Sequence, residues 1–193
     1  MPEIDRLRAA LARPGGDSSD FDLNPGLVLP AGRVLRPAAV LVAIWQDRLI
    51  LTKRASHLKH HPGQIAFPGG KVDPTDDSAE AAALREAHEE IALPSATVEL
   101  LGRLPAHETV TGFSVTPILG HIRDAFSPAP EAGEVEEVFT VPLSHVLNPA
   151  RYVVEQRLWR GEWRHYYAVP YGPYYIWGAT ARILRGLAER VGP

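Results

Sequence analysis

The chain has 193 residues, of which 45% are apolar and 22% charged, with a formal net charge of −3 and no cysteine. That length supports one domain with a substantial core, and the weak negative charge argues against a nucleic-acid-binding surface spread over the whole molecule. The missing cysteines exclude a disulfide framework, a thiol nucleophile and a thiolate metal site, and with no apolar run near the ~20 residues of a membrane span and no hydrophobic leader, a cytoplasmic protein with no membrane partner is expected.

From Pro2 to Arg13, Ile4, Leu7 and Leu11 recur with charges between them, which predicts a short amphipathic helix. Such a helix either caps the domain or contacts a second subunit in a homodimer. Pro14 to Pro37 is rich in Gly, Pro, Asp and Ser and reads as an irregular arm. Residues 1–37 are therefore set apart from a domain spanning 38–193.

Ala38 to Trp45 is a continuous apolar run, consistent with a buried strand. Gln46-Asp47 supplies a turn, and Arg48 to Lys53 returns as the second arm of a hairpin. The polar segment Arg54 to Gly63 follows and holds His57, His60 and His61. No cysteine or further histidine pair completes a zinc ligand set there.

Phe67 to Leu93 organises the rest of the chain. Its second half is helical: Ser78 is an N-cap, the alanines favour helix and Pro94 stops it. Glu86, Glu89 and Glu90 stand at i, i+3 and i+4 and share one face, while Leu84, Ala87 and Ile91 share the opposite one. Three carboxylates on one face repel one another, and a divalent cation reverses the sign of that energy. Mg²⁺ takes such oxygen ligands, typically together with substrate phosphates; the alternative is a solvated acidic helix end. Arg85 reaches Glu89 at i, i+4 and steadies it.

Thr97 to Leu104 reads as a strand, Thr109 to Gly112 as a turn, and Phe113 to Ile122 as a strand whose Pro117 implies an edge or bulged position. A loop over Ser127 to Gly133 leads into a strand over Glu134 to Val141. Ser144 to Leu147 is one helical turn ended by Asn148-Pro149. Arg151 to Trp159 and Glu162 to Val169 form a hairpin around Arg160-Gly161, its aromatics Trp159, Trp163, Tyr166 and Tyr167 packing across strands. Tyr174 to Val191 is helical, with Ile176, Ala179, Ile183, Leu187 and Val191 at helical spacing and Arg182, Arg185 and Arg190 outside. Strands, a helix, more strands, a hairpin and a final helix make an α+β layout.

The run Arg85-Glu86-Ala87-His88-Glu89-Glu90 resembles the core R-E-U-x-E-E of the Nudix box, the signature of Nudix hydrolases. Three departures accompany the likeness. Gly70 stands one residue further from Arg85 than usual, the upstream Glu is replaced by Asp76 or Asp77, and the terminal Gly is Ala92. Ile50 to Gly70, ILTKRASHLKHHPGQIAFPGG, is similar to the L-L-T-x-R-S/A-x3-R-x3-G-x3-F-P-G-G motif of coenzyme A diphosphatases within that family. Thr111 to Pro117 and the Ile-Trp-Gly-Ala-Thr-Ala run near the C-terminus add to the likeness, which covers Ala38 onward.

The resemblance implies a mixed sheet sandwiched between helices, with Glu86, Glu89 and Glu90 holding Mg²⁺ or Mn²⁺. It implies metal-dependent hydrolysis of coenzyme A, or a derivative, to 3′,5′-ADP and 4′-phosphopantetheine. Gly69 and Gly70 border the substrate, and Arg54 and Lys59 meet its phosphates, unless Arg54 pairs instead with an acid of the loop Asp73 to Asp77. The general base is Glu86 or a loop glutamate: Glu134 first, with Glu131, Glu136 and Glu137 as competitors. Another Nudix substrate (ADP-ribose, NADH or 8-oxo-dGTP) and a silent nucleotide-binding role stay open.

Overall fold

A computed structural model describes residues 3–27, 32–159 and 161–192. In chain order its elements are α1 (Glu3–Ala12), β1 (Ser18–Ser19), β2 (Arg36–Trp45), β3 (Arg48–Arg54), β4 (Ile65–Ala66), β5 (Gly69–Lys71), α2 (Ala79–Ile91), β6 (Val98–Arg103), β7 (His107–Glu108), β8 (Phe113–Ile122), β9 (Val135–Pro142), α3 (Leu143–Val146), β10 (Val153–Trp159), β11 (Glu162–Ala168) and α4 (Gly178–Val191).

Nine of these strands form one mixed sheet. Its main path runs β1-β7-β8-β2-β3-β4, with β5 on β2, β6 on β8 and β9 on β3, while β10 and β11 form a separate hairpin. The sheet has a core on each face. On one, Val42, Ile44, Leu49 and Leu51 pack with Leu7 of α1, Val146 of α3 and Leu184 and Leu187 of α4. On the other, Ala39, Leu41, Ala43 and Ile50 meet Ala83, Ala87 and Ile91 of α2. Strand β2 reads as an unbroken apolar run because both of its faces are covered. It is tied to β3 through Gln46 and Asp47, both left-handed at φ 49° and 56°, the conformation of a type I′ hairpin turn.

The α+β architecture matches the expectation, with three local corrections. Strand β8 is interior, not an edge: it pairs in parallel with β2 from Arg36↔Phe113 to Ile44↔His121 and also carries β6 and β7. Pro117 is tolerated because it falls where the neighbour changes from β7 to β6, and only its carbonyl is used, accepting from the Leu104 N–H at 2.9 Å. The last helix starts at Gly178 rather than Tyr174. Residues 174–177 run extended along β11, with Val169 N–H donating to the Ile176 carbonyl at 2.8 Å. Within that helix Ala179 is only partly buried, and Thr180, Leu184 and Ala188 join the inner face.

The arm is not wholly irregular, because Ser18 and Ser19 add a short parallel strand to β7. Its residues 28–31, Pro2 of the first helix and Arg160 of the hairpin turn lie outside the described residues.

Candidate active site

Helix α2 is set by its ends. The Ser78 side chain accepts from the Ala81 N–H at 3.1 Å, satisfying a first-turn amide. At the other end Ala92 adopts the left-handed conformation, φ 56° and ψ 30°, and its N–H reaches back to the last turn. The inner face differs from the sequence reading: Ala82, Ala83, Ala87, Glu90 and Ile91 are buried, whereas Leu84 is only partly so.

That rotation makes the three glutamates unequal. Glu90 is 5% exposed, and one of its carboxylate oxygens accepts from the Gly69 N–H at 3.2 Å. Burial pushes its carboxyl up to about 8, with Glu86 and Glu134 adding to the rise and Arg54 and the Gly69 N–H opposing it. Glu86 is half-buried, and burial raises its carboxyl while Arg85 pulls it down. Glu89 is exposed and reaches Arg85. Among the described residues no three His, Asp or Glu side chains converge on a common point. The shared ridge expected from spacing is thus split, because Glu90 turns inward to the Gly69 amide and Glu89 outward to Arg85.

The Gly69-Gly70 pair lets β5 approach both β2 and α2. A Cβ on Gly69 would stand 2.5 Å from the Ala39 carbonyl oxygen and 2.6 Å from Val40 Cα, and its φ of 154° already disfavours other residues. A Cβ on Gly70 would stand 2.6–2.7 Å from the Glu86 carboxylate oxygens. The Glu86 carboxylate is therefore seated on bare backbone, in a cradle that a side chain would fill.

Arg85 is the hub. Its Nε and Nη2 donate to the two oxygens of Asp76 at 3.0 and 2.9 Å, and its Nη1 donates to Glu86 at 3.0 Å and Glu89 at 3.1 Å. A further bond goes to the Lys71 carbonyl at 3.2 Å. Asp76, not Asp77, therefore takes the upstream acidic position, and this guanidinium holds its carboxyl below the usual range. The one-residue insertion hid that choice in the sequence, since counting back from Arg85 does not separate neighbouring aspartates.

Among the described residues Arg54 makes no ion pair with the acidic loop, whose Asp73 and Asp76 face Arg85 instead. The Arg54 Nε is buried without a hydrogen-bond partner among the described residues, and its charge acts on Glu90 and His61. Lys59 is exposed on the following loop.

Glu134 is brought to the same place by the loop before β9. Ala129 N–H donates to the Ile91 carbonyl at 3.1 Å, Glu131 N–H to the Glu90 carbonyl at 2.9 Å, and Ala55 N–H to the Glu134 carbonyl at 2.9 Å. The loop is thus laced to the end of α2. Glu134 is exposed, has no side-chain hydrogen bond among the described residues, and raises the carboxyls of both Glu86 and Glu90.

Two competitors are engaged elsewhere. Glu136 accepts from Lys53 Nζ at 2.6 Å, from the Ser56 N–H at 3.1 Å and from the Ser56 hydroxyl. It is the extra residue of a β-bulge, since Lys53 faces Glu137 and Arg54 faces Val135. Glu137 accepts from the Tyr174 hydroxyl at 2.5 Å. Period-2 alternation carries no sign of this bulge, so the clamp on Lys53 and Ser56 was not readable from the chain.

A family model described as the NUDIX domain matches residues 35–160. A protein of Enterobacter sp. (strain 638), described as uncharacterized Nudix hydrolase NudL, is 48% identical over 160 residues, covering 81% of this chain and 83% of that protein. Its namesake in Escherichia coli (strain K12) is 46% identical over 160 residues, with 81% and 83% covered. Among solved structures, a Nudix hydrolase from Nitrosomonas europaea is 17% identical with a TM-score of 0.49, covering 62% of this chain and 64% of that one. A C. elegans Ap4A hydrolase binary complex is 19% identical with a TM-score of 0.48, covering 55% and 80%. With a family match over more than half its length and near-half identity to relatives covered over 83% of their length, the chain belongs to the Nudix family and is a hydrolase of diphosphate bonds.

Proposed function

We propose that the protein hydrolyses the diphosphate of coenzyme A or a close derivative, releasing 3′,5′-ADP and 4′-phosphopantetheine or its derivative. The observation that carries this reading is the pairing of a buried carboxylate, Glu90, with a buried Arg54 nitrogen that has no partner among the described residues. An acid held in apolar surroundings calls for a cation, and an unmatched guanidinium N–H calls for an anion. The segment Ile50 to Gly70 supports coenzyme A among diphosphate substrates, because its 3′-phosphate adds an anion that Arg54 and the nearby Lys59 can meet.

The donor set suits a hard divalent cation: Glu86 in its backbone cradle, Glu90 behind it and Glu89 outside are all oxygen ligands. These three would hold Mg²⁺ or Mn²⁺ once Glu89 turns in toward the other two, and the ion would neutralise diphosphate charge and make water a better nucleophile. The remaining work falls to the chain. Arg85 holds Glu86 and Glu89 in place and is itself pinned by Asp76. A carboxylate oxygen of Glu134 takes the proton as the water oxygen bonds to phosphorus and the bridging P–O bond breaks toward the departing phosphate. Glu134 suits this role because it is exposed and has no side-chain hydrogen bond among the described residues, whereas Glu86 is held by Arg85.

Turnover of coenzyme A, ADP-ribose and 8-oxo-dGTP, each with and without chelator, tests the reading. Coenzyme A should be the best substrate, and only in the presence of metal. A preference for either of the others removes the coenzyme A assignment. Glu90→Gln should lower turnover at least ~100-fold with the circular dichroism spectrum unchanged. A near-normal rate in that variant would remove Glu90 from the site.

A further inference from the structure

Five of the seven large apolar side chains that stand exposed among the described residues belong to the β10–β11 hairpin or the segment beside it: Val153, Val154, Leu158, Trp163 and Tyr175. Val154 and Leu158 share one face of β10, and Leu158 pairs across the hairpin with Trp163. These three are 52%, 57% and 60% exposed. Among the described residues strand β10 pairs only with β11, so its outer edge presents backbone donors and acceptors. It is seven residues long and has no proline, lysine or bulge to protect it, its charges being Glu155 and Arg157. A two-stranded sheet is marginal by itself.

The sequence of this edge is complementary to itself. Val154-Glu155-Gln156-Arg157-Leu158 has its centre at Gln156. If a second strand runs antiparallel with its own Gln156 opposite, Glu155 meets the partner's Arg157 and Arg157 meets the partner's Glu155. Val154 likewise meets the partner's Leu158, and the reverse. Both ion pairs and both apolar pairs form at once, as an isologous two-fold contact requires. Any other register loses the symmetric charge match.

We infer that the outer edge of β10 is the site of homodimerisation, joining two hairpins into a four-stranded sheet β11-β10-β10-β11 about a two-fold axis at Gln156. The apolar face of Val154, Leu158 and Trp163 then becomes continuous between the two copies. The occupant is a second copy of this chain because the strand's own charges supply its complement.

Light scattering behind size exclusion and sedimentation equilibrium on the full chain read the association directly. The wild-type chain should be a dimer at micromolar concentration. Arg157→Glu and Glu155→Arg each set like charges opposite one another twice, and each should weaken the dimer at least ~10-fold. The double exchange should restore it to within a few-fold. Within one copy, Glu155 accepts from the Tyr175 hydroxyl and Arg157 lies 5.3 Å from the Trp177 ring centre. The double exchange restores neither of these contacts, so recovery reports the intermolecular pairs. Because the chain has no cysteine, Gln156→Cys introduces a single thiol on the axis. Mild oxidation should link it to its mate, whereas Ser127→Cys on a distant exposed loop should not link. A monomeric wild type, a dimer indifferent to the single reversals, or a Gln156→Cys chain that fails to cross-link would each overturn the assignment.

Discussion

Glu90 occupies the seam where α2 turns from solvent to core, and its carboxyl is held up at about 8 because burial strips its water. Its ordinary value is 4.5, so the unfolded chain gives up this proton first as pH rises. In chelator-treated protein the stability present below pH 4.5 should therefore be lost progressively as pH climbs through about 8, by on the order of a few kcal/mol. Added Mg²⁺ favours the ionised form, so the metal-induced rise in Tm should grow across the same window. Thermal melts at both ends of the window, with and without metal, read this, and Glu90→Gln should flatten both trends. Asp76 runs the other way: Arg85 depresses its carboxyl, so its contribution is kept at neutral pH and lost on acidification. At this scale the spacing of Glu86, Glu89 and Glu90 was legible, but their unequal burial was not. A period of 3.6 places side chains on a wheel; it does not say how far the wheel is turned into the sheet.

At the scale of elements, α2 was the most readable part of the chain because its signals are local. Ser78 caps it as expected, and the alanines carry it. Ala92 ends it in the left-handed region, where a Cβ costs about 1–2 kcal/mol. Ala92→Gly should therefore stabilise the protein by about 0.5–1 kcal/mol, part of the gain being offset by the freer unfolded chain. Denaturant unfolding checks this, with turnover unchanged because the residue lies beyond the glutamates. Strand β8 shows the opposite case. Pro117 reads as an edge or bulge signal on its own, yet the strand is central, and the missing N–H is tolerated because it falls in a gap between two neighbouring strands. The bulge at Glu136 is equally nonlocal, as it exists only relative to β3.

Across the whole molecule the N-terminal segment works as a strap. His107 is fully buried, with one ring nitrogen 2.9 Å from the Ser18 hydroxyl and the other 3.0 Å from Asp20. Further along, the Asn24 side chain donates to the His165 carbonyl and accepts from the His165 N–H, at 2.9 and 2.8 Å, tying the arm to β11. Arg182 of α4 adds an ion pair to Asp22 at 2.8 Å. His107→Ala leaves two polar groups without their partner and a hole beneath the arm, and should cost about 2–4 kcal/mol. Its signature should be faster chymotryptic cleavage after Phe21 at temperatures where the sheet is still folded. Uniform loss of protection across the chain would instead mean that the arm is not a separate strap.

The sequence alone determined what depends on neighbours along the chain: the helix bearing Arg85, Glu86, Glu89 and Glu90, the hairpins and the absence of thiol chemistry. Capping, turn chemistry and periodicity act over a few residues, so they survive in one dimension. Only the tertiary structure decided that Asp76 holds Arg85, that Glu90 faces inward against Gly69, that Glu134 faces the same site and that Arg54 keeps an unmatched nitrogen. The first is a loop folded back over nine residues, and the others depend on sheet register and burial rather than on local spacing.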